Sequence, residues 1–136
     1  MTVYVDTSVV LRILLNEPDP VECWGKWDIG YSSQLWRVEA LRVSDRLRTT
    51  SSITDMQVVK LRSGIDKVHD ALHIVSLSDT ILKRAGETFP TIVGTLDAIH
   101  LSTAVLLSET VQIDLFLTHD IQLATAAKAM GFTVQG

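Results

Sequence analysis

The feature that most constrains this chain is an alternation of short β-prone runs with apolar-periodic stretches. The β-prone runs fall at residues 2–5, 29–32, 72–77, 115–117 and 132–134. Between them the apolar residues recur every three or four positions, the pattern of a helix that buries one face. A strand, a helix and a second strand in that order place the two strands parallel, because the helix carries the chain back to the starting edge. The chain is therefore predicted to adopt an α/β fold, a three-layer α/β/α sandwich around a parallel sheet of four to five strands. Helices are expected over residues 7–14, 33–48, 55–69, 79–86, 95–107 and 120–130, with one more short helix over 21–27. Glu17-Pro18-Asp19-Pro20 stops the first of them. Ser33, Thr54 or Asp55, Ser78 or Asp79, and Thr95 are N-cap candidates, and Met130-Gly131 is a C-cap signal. Residues 33–70 break the alternation, with two helices and no strand between, and are expected to protrude as a helical pair. Leu35, Val38, Leu41 and Leu47 are its expected core contacts.

With 136 residues, 46% of them hydrophobic, the chain is long enough to bury a core as one domain, residues 1–136. No apolar run reaches the ~18 residues that span a bilayer, and no basic segment introduces an apolar one at the N-terminus. Cys23 is the only cysteine, which excludes an intrachain disulfide and a cysteine-based zinc site. These features predict a cytoplasmic protein without a membrane association. The net charge of −4 disfavours gripping nucleic acid by bulk charge. The charge is uneven, however. Residues 37–67 hold seven basic residues against four acids, or +3, and the remainder holds five against twelve, or −7. A local basic patch on an acidic body is compatible with this pattern.

Ligands of open parallel sheets bind outside the carboxyl ends of the strands. Asp6 directly follows the first β-prone run, and Asp120 comes three residues after the fourth. Asp97 lies in the first turn of an expected helix and Glu39 inside another. Each has an ordinary reading as well: Asp6, Asp97 and Asp120 suit helix N-termini, and Glu39 suits a solvated helix face. The set is more informative than its members. Two like charges ~4 Å apart cost about 4 kcal/mol at an effective dielectric of 20. If the four carboxylates converge, they therefore call for divalent cations, and oxygen-only ligands suit Mg²⁺ or Mn²⁺. One or two such ions can activate water and stabilise the leaving oxygen of a phosphodiester. Asp114 is a rival to Asp120, but it precedes its strand and so belongs at the opposite end of the sheet.

Four stretches carry a resemblance: Val5-Asp6-Thr7-Ser8, Glu39 within residues 33–41, Leu96-Asp97-Ala98-Ile99-His100-Leu101-Ser102-Thr103-Ala104, and Phe116-Leu117-Thr118-His119-Asp120-Ile121. In this order and at these intervals they resemble the PIN-domain nucleases, most closely the VapC-type toxins of prokaryotic toxin–antitoxin pairs. The likeness runs through essentially the whole chain to Gly131-Phe132-Thr133-Val134. It implies a metal-dependent endoribonuclease in which Asp6 and Asp97 ligate a primary Mg²⁺ or Mn²⁺. Glu39 and Asp120 would hold a second ion or orient water. Thr118 matches the small hydroxyl residue often found two positions before the last acid. Thr7 and Ser8, beside Asp6, would position water or cap the helix. The resemblance further implies a homodimer, an RNA substrate and a small antitoxin whose C-terminal segment lies across the acidic site. His100 departs from the family, which more often has a small or aliphatic residue there; it reads as packed or water-facing.

Other chemistries lack their motifs. There is no phosphate-binding Gly-x-x-x-x-Gly-Lys, no Gly-x-Gly-x-x-Gly and no Gly-x-Ser-x-Gly. His69, His73, His100 and His119 form no His-Glu-x-x-His. Trp24, Trp27 and Trp36 suit a core or an interface better than base stacking. Arg42 and Arg46 share a helix face with Glu39, where they would contact RNA phosphate or simply be solvated. A receiver-like phosphoacceptor module wants paired acids after the first strand and a lysine after the last, and neither is present. A PIN-like fold that binds RNA or protein without cleaving would have no electrostatic reason to keep four repelling acids together. The apolar residues Trp36, Val43, Ile53, Met56 and Val59 either all fill the core or exceed what one packed face needs, and on the second reading the helical pair is the expected seat of the partner.

Overall fold

The computed structural model describes residues 1–136. Five strands form one sheet: β1 (Thr2–Val5), β2 (Ile29–Ser33), β3 (His73–Val75), β4 (Leu115–Leu117) and β5 (Val134–Gln135). Six helices connect them: α1 (Thr7–Leu14), α2 (Leu35–Thr49), α3 (Asp55–Ala71), α4 (Asp79–Ala85), α5 (Thr95–Leu107) and α6 (Ile121–Ala129). The strand order is β3-β2-β1-β4-β5 and every pair is parallel. This is the expected α/β architecture with the higher of the two strand counts. No helix is long and apolar enough to cross a membrane.

Alternation along β1 divides the core. Val3 and Val5 face one layer with Val9 and Val10 of α1, Trp36 and Ala40 of α2, and Leu61 and Ile65 of α3. Tyr4 faces the other layer with Leu101 and Ala104 of α5, Phe116 of β4, and Leu123, Ala126 and Ala127 of α6. All these side chains are buried, so helices cover both faces of the sheet, as a parallel sheet requires. The register pairs Val3 with Leu115, Tyr4 with Phe116 and Val5 with Leu117. That alignment brings Asp6 level with Thr118, and Asp6 N donates to Leu117 O at 2.9 Å.

The helix starts follow side-chain capping. Thr54 and Gln57 form a reciprocal capping box at α3, and the Ser78 side chain caps α4. Asp6 caps α1 and Asp120 caps α6. Gly94, not Thr95, is the N-cap of α5. Ser33 ends β2, yet its hydroxyl accepts from Leu35 N at 3.1 Å and so does part of the expected capping. Gly131 follows α6 with φ +94°, the left-handed geometry that glycine adopts without strain.

Three expectations are corrected. Residues 21–27 form turns, not a helix; Gly25 sits at φ +70°, which ends any helical run there. Trp24 and Trp27, at 5.3 Å and perpendicular, instead pack onto the core. Val38 is exposed rather than buried, because α2 turns Trp36, Ala40 and Ser44 inward. The last strand begins at Val134, since Phe132 leaves the ladder to pack on Phe116 at 5.6 Å. The helical pair is present: α2 packs on α3, Arg37 bridges to Asp66 at 2.6 Å, and residues 48–52 at its tip are all exposed.

Candidate active site

The sheet order reverses direction between β1 and β4, since the chain moves outward through β2 and β3 and then returns to the other side of β1. The crevice at such a switch point, at the carboxyl ends of the strands, is where doubly wound sheets place ligands. Asp6 stands at the end of β1 and Thr118 at the end of β4, both buried. Thr118 Oγ1 donates to Asp6 Oδ2 at 2.9 Å and accepts from Asp120 N at 3.0 Å. One hydroxyl thus ties Asp6 to the segment that carries Asp120.

Ser8 supports the same junction from α1. Its Oγ donates to Asp6 Oδ2 at 2.6 Å and accepts from His119 N at 3.0 Å, while its N–H approaches Asp6 Oδ2 at 3.3 Å. Thr7 turns the other way. Its Oγ1 donates to Glu39 Oε1 at 2.7 Å, which brings the α2 carboxylate to the start of α1. Thr7 and Ser8 therefore orient carboxylates through their hydroxyls, and the cap of α1 is Asp6 itself.

His100 of α5 completes the joint. It is fully buried, with Nε2 2.6 Å from Glu39 Oε1, 3.3 Å from Thr7 Oγ1 and 3.6 Å from Asp6 Oδ1. Its Nδ1 lies 2.9 Å from the hydroxyl of Tyr4, which is also fully buried. The expectation of a packed histidine holds, but the residue is wired to the acidic edge, and Tyr4 was not read from the sequence as part of the site. One signal was available: Tyr4 precedes Asp6 by two residues on a central strand, and a buried tyrosine hydroxyl needs a partner.

The four acids form a gradient of exposure, from buried Asp6 through half-buried Glu39 and Asp97 to exposed Asp120. None is paired with a lysine or arginine; the one cationic partner within reach is His100. Burial, then the charges of Asp120 and Asp6, push the Asp97 carboxyl up to about 6, against the relief that His100 gives. Burial presses His100 towards neutrality, but its Glu39 hydrogen bond and the charges of Asp6, Glu39 and Asp97 outweigh this and raise it. Burial, together with Asp6, holds the Tyr4 phenol well above its ordinary range, so it keeps its proton.

The hydrogen bonds leave a consistent pattern. Asp6 takes its donors on Oδ2, Glu39 on Oε1 and Asp120 on Oδ1, from Leu123 N at 2.9 Å. The second oxygen of each, and both oxygens of Asp97, accept no hydrogen bond from the protein. No three acidic, histidine or cysteine side chains converge closely enough to form a ready-made metal-ligand set; Asp6, Glu39 and Asp120 are each turned towards their own donors. The chemistry nevertheless fits a hard divalent cation, with oxygen donors on the acids, negative charge that only His100 offsets and a free oxygen on every acid.

Arg42 and Arg46 rim a groove of ≈ 480 Å³ also lined by Leu35, Val38, Glu39, Val43 and Leu96. Arg42 is exposed and reaches Asp45 at 3.3 Å. Among the residues expected to form a partner surface, Met56 and Val59 are exposed, whereas Trp36 is fully buried and Ile53 packs on the core. Asp114 lies at the opposite edge of the sheet, accepting from Thr2 N at 2.7 Å.

The chain is similar to known proteins over nearly its whole length. Ribonuclease VapC47 of Mycobacterium tuberculosis (strain CDC 1551 / Oshkosh) is 28% identical over 137 residues, covering 96% of this chain and 93% of the relative. A chain of the crystal structure of VapBC2 from Rickettsia felis bound to a DNA fragment from their promoter has the same fold. Its TM-score is 0.66 at 16% identity, covering 99% of this chain and 98% of that one. A family model described as the PIN domain matches residues 3–129, from β1 to the end of α6 and across all four acids. With a match of that extent, the chain belongs to the PIN domain family.

Proposed function

We propose that this protein is a Mg²⁺- or Mn²⁺-dependent endoribonuclease, the toxin of a toxin–antitoxin pair. The observation that carries the reading is that Asp6, Glu39, Asp97 and Asp120 share the carboxyl edge of the sheet at its switch point, near enough for the charges of the other three to raise Asp97, without a lysine or arginine to neutralise them. The likeness to Ribonuclease VapC47 supports RNA as the substrate.

Asp6 and Asp97 would hold the primary ion, and Glu39 and Asp120 a second ion or the attacking water. A divalent cation bound there supplies a water of lowered pKa and positive charge at the scissile phosphate. The chain itself fixes the carboxylates. Ser8 and Thr118 hold Oδ2 of Asp6, and Thr7 holds Oε1 of Glu39. Exposed Asp120 and half-buried Asp97 leave the edge open to a polynucleotide. Arg42 and Arg46 stand where they can meet its phosphates. The strand order also separates this fold from receiver modules, whose order is 2-1-3-4-5.

The groove beside Glu39, apolar along Leu35, Val38, Val43 and Leu96, suits an antitoxin segment whose basic residue would pair with the acids. The VapBC2 neighbour supports a partner of that kind. The active form would be a homodimer. The test is RNA cleavage by the purified chain with and without Mn²⁺, beside an Asp97→Asn variant of unchanged circular dichroism. Cleavage that needs neither Mn²⁺ nor Asp97 would refute the reading. Co-expression with the neighbouring reading frame should give a stable complex in which the activity falls.

A further inference from the structure

Behind the carboxylates runs a buried chain of hydrogen bonds that the proposed reaction does not use. It starts at Tyr4 on the central strand, passes through His100 on α5 and ends at Glu39 on α2. Tyr4 and His100 are each fully buried, so neither touches a polynucleotide. The Tyr4 ring stacks on Phe116 at 5.0 Å, which anchors the far end of the chain in the sheet.

Glu39 needs such an anchor. It stands on the helical pair rather than at a strand end, and its carboxylate has two protein partners, Thr7 and His100, both on Oε1. We propose that His100, backed by Tyr4, is a positioning residue: it fixes Oε1 of Glu39 and so presents Oε2 to the acidic edge. Whether the imidazole is neutral or charged, Nε2 carries the proton donated to Glu39. In the neutral form, Nδ1 accepts from the Tyr4 hydroxyl, and both ring nitrogens are paired. A carboxylate held on one oxygen has lost most of its rotamer freedom before an ion arrives, which is how outer partners sharpen metal sites. The proposal rests on the reading of Glu39 as an ion ligand.

The experiment is calorimetric titration of Mn²⁺ alone into the purified chain and its variants, with circular dichroism melts as a check on folding. Glu39→Gln tests the ligand reading. His100→Leu removes the donor, His100→Gln restores one, and Tyr4→Phe removes only the outer link. Loss of an outer partner costs about 10–100-fold in metal affinity, so His100→Leu should weaken Mn²⁺ about tenfold, with Tyr4→Phe losing less and His100→Gln recovering most of the loss. Because His100 acts through Glu39, the Glu39→Gln/His100→Leu double variant should bind as Glu39→Gln alone does.

Wild-type Mn²⁺ affinity in folded His100→Leu, with Glu39→Gln impaired, would overturn the positioning role and leave the ligand reading intact. Wild-type affinity in Glu39→Gln would overturn both. Losses that multiply in the double variant would assign His100 a merely structural role. If His100→Leu does not fold, His100→Gln and Tyr4→Phe decide: unchanged affinity in Tyr4→Phe together with loss in His100→Gln proportionate to its drop in melting temperature overturns the proposal.

Discussion

Both edges of the sheet carry carboxylates, and they treat them in opposite ways. At the amino edge, Asp28 pairs with the N-terminal ammonium of Met1, and Asp114 accepts from Thr2 N and Gln112 Nε2. The Met1 hydrogen bond holds the Asp28 carboxyl below its ordinary value. At the carboxyl edge, burial and like charge push Asp97 in the other direction, to about 6. Folding favours the ionised acid at one edge and penalises it at the other. A protein that retains a penalised acid beside three more is tolerating a local cost, the pattern expected of a functional site.

The largest expected effect breaks the comparison at the level of catalysis. Asp97→Asn keeps the shape of the side chain, removes its charge, and should lower the Mn²⁺-dependent rate of RNA cleavage by about 100-fold or more. Asp114→Asn makes the same chemical change at the amino edge and should leave the rate within about twofold. Equal effects in the two variants would mean that the edges do not differ in function.

A smaller effect concerns the approach of RNA. Arg42 and Arg46 rim the groove that Glu39 also lines. Reversing both to Glu should weaken RNA binding about tenfold at low salt and reduce the salt slope by about 1.4, or ~0.7 for each lost contact to a single strand. A slope identical to wild type would assign both arginines to an ordinary solvated face.

Much of this edge was legible because strand ends are local events. Asp6 follows a β-prone run directly and Asp120 comes three residues after another, and a parallel sheet sends all such ends to one side. The sheet order placed them together, and that depends on long-range pairing. Glu39 was legible only through resemblance; nothing in α2 distinguishes it from a solvated glutamate until Thr7 and His100 are seen to meet it. The reading of α2 failed at Val38 for a related reason. The inward face runs through Trp36, Ala40 and Ser44, two of them small, so counting large aliphatic residues put Val38 inward by mistake, although Leu41 does pack on the core. Tyr4 was hidden by its hydrophobic ring, which fits a core position and says nothing about where its hydroxyl points.

A third effect sharpens the comparison through stability. Raising the Asp97 carboxyl from its ordinary value to about 6 corresponds to ~3 kcal/mol without screening. The carboxyl is only half-buried, so solvent screening leaves about 1 kcal/mol. Without divalent ions at pH 7.5, Asp97→Asn should therefore melt ~3 °C higher than wild type. Asp28→Asn should melt no higher than wild type, because it loses the Met1 pair. Adding Mn²⁺ should stabilise the wild type and narrow its gap to Asp97→Asn, since an ion that binds only the folded form adds stability. A lower melting temperature for Asp97→Asn than for wild type would remove the claim of repulsion at the carboxyl edge.

The smallest effect is the pH dependence of that gap, and its sign follows from linkage. Unfolded, Asp97 titrates near 3.9; folded, it titrates at about 6. Between these values the folded state holds more protons, so stability falls as pH rises. The penalty is absent below pH ~4 and complete above about 6. Asp28 has the opposite sign: its lowered folded pKa stabilises the protein above the unfolded value, and that contribution is lost as the pH falls through the folded one. His100, raised in the folded state, stabilises fully below its unfolded pKa, and the contribution is lost as pH rises through the folded value. It therefore keeps the wild-type slope negative past the range of Asp97. The stability difference between Asp97→Asn and wild type, from urea unfolding at closely spaced pH values, cancels most of the other groups. It should stay near zero up to pH ~4, grow to about 1 kcal/mol by pH ~6.5 and then level off. The same difference for Asp28→Asn should have the reverse sign and be complete by a lower pH. A flat Asp97 curve from pH 4 to 7 would show that its carboxyl is not held by burial and like charge, and that the two edges of the sheet treat their acids alike.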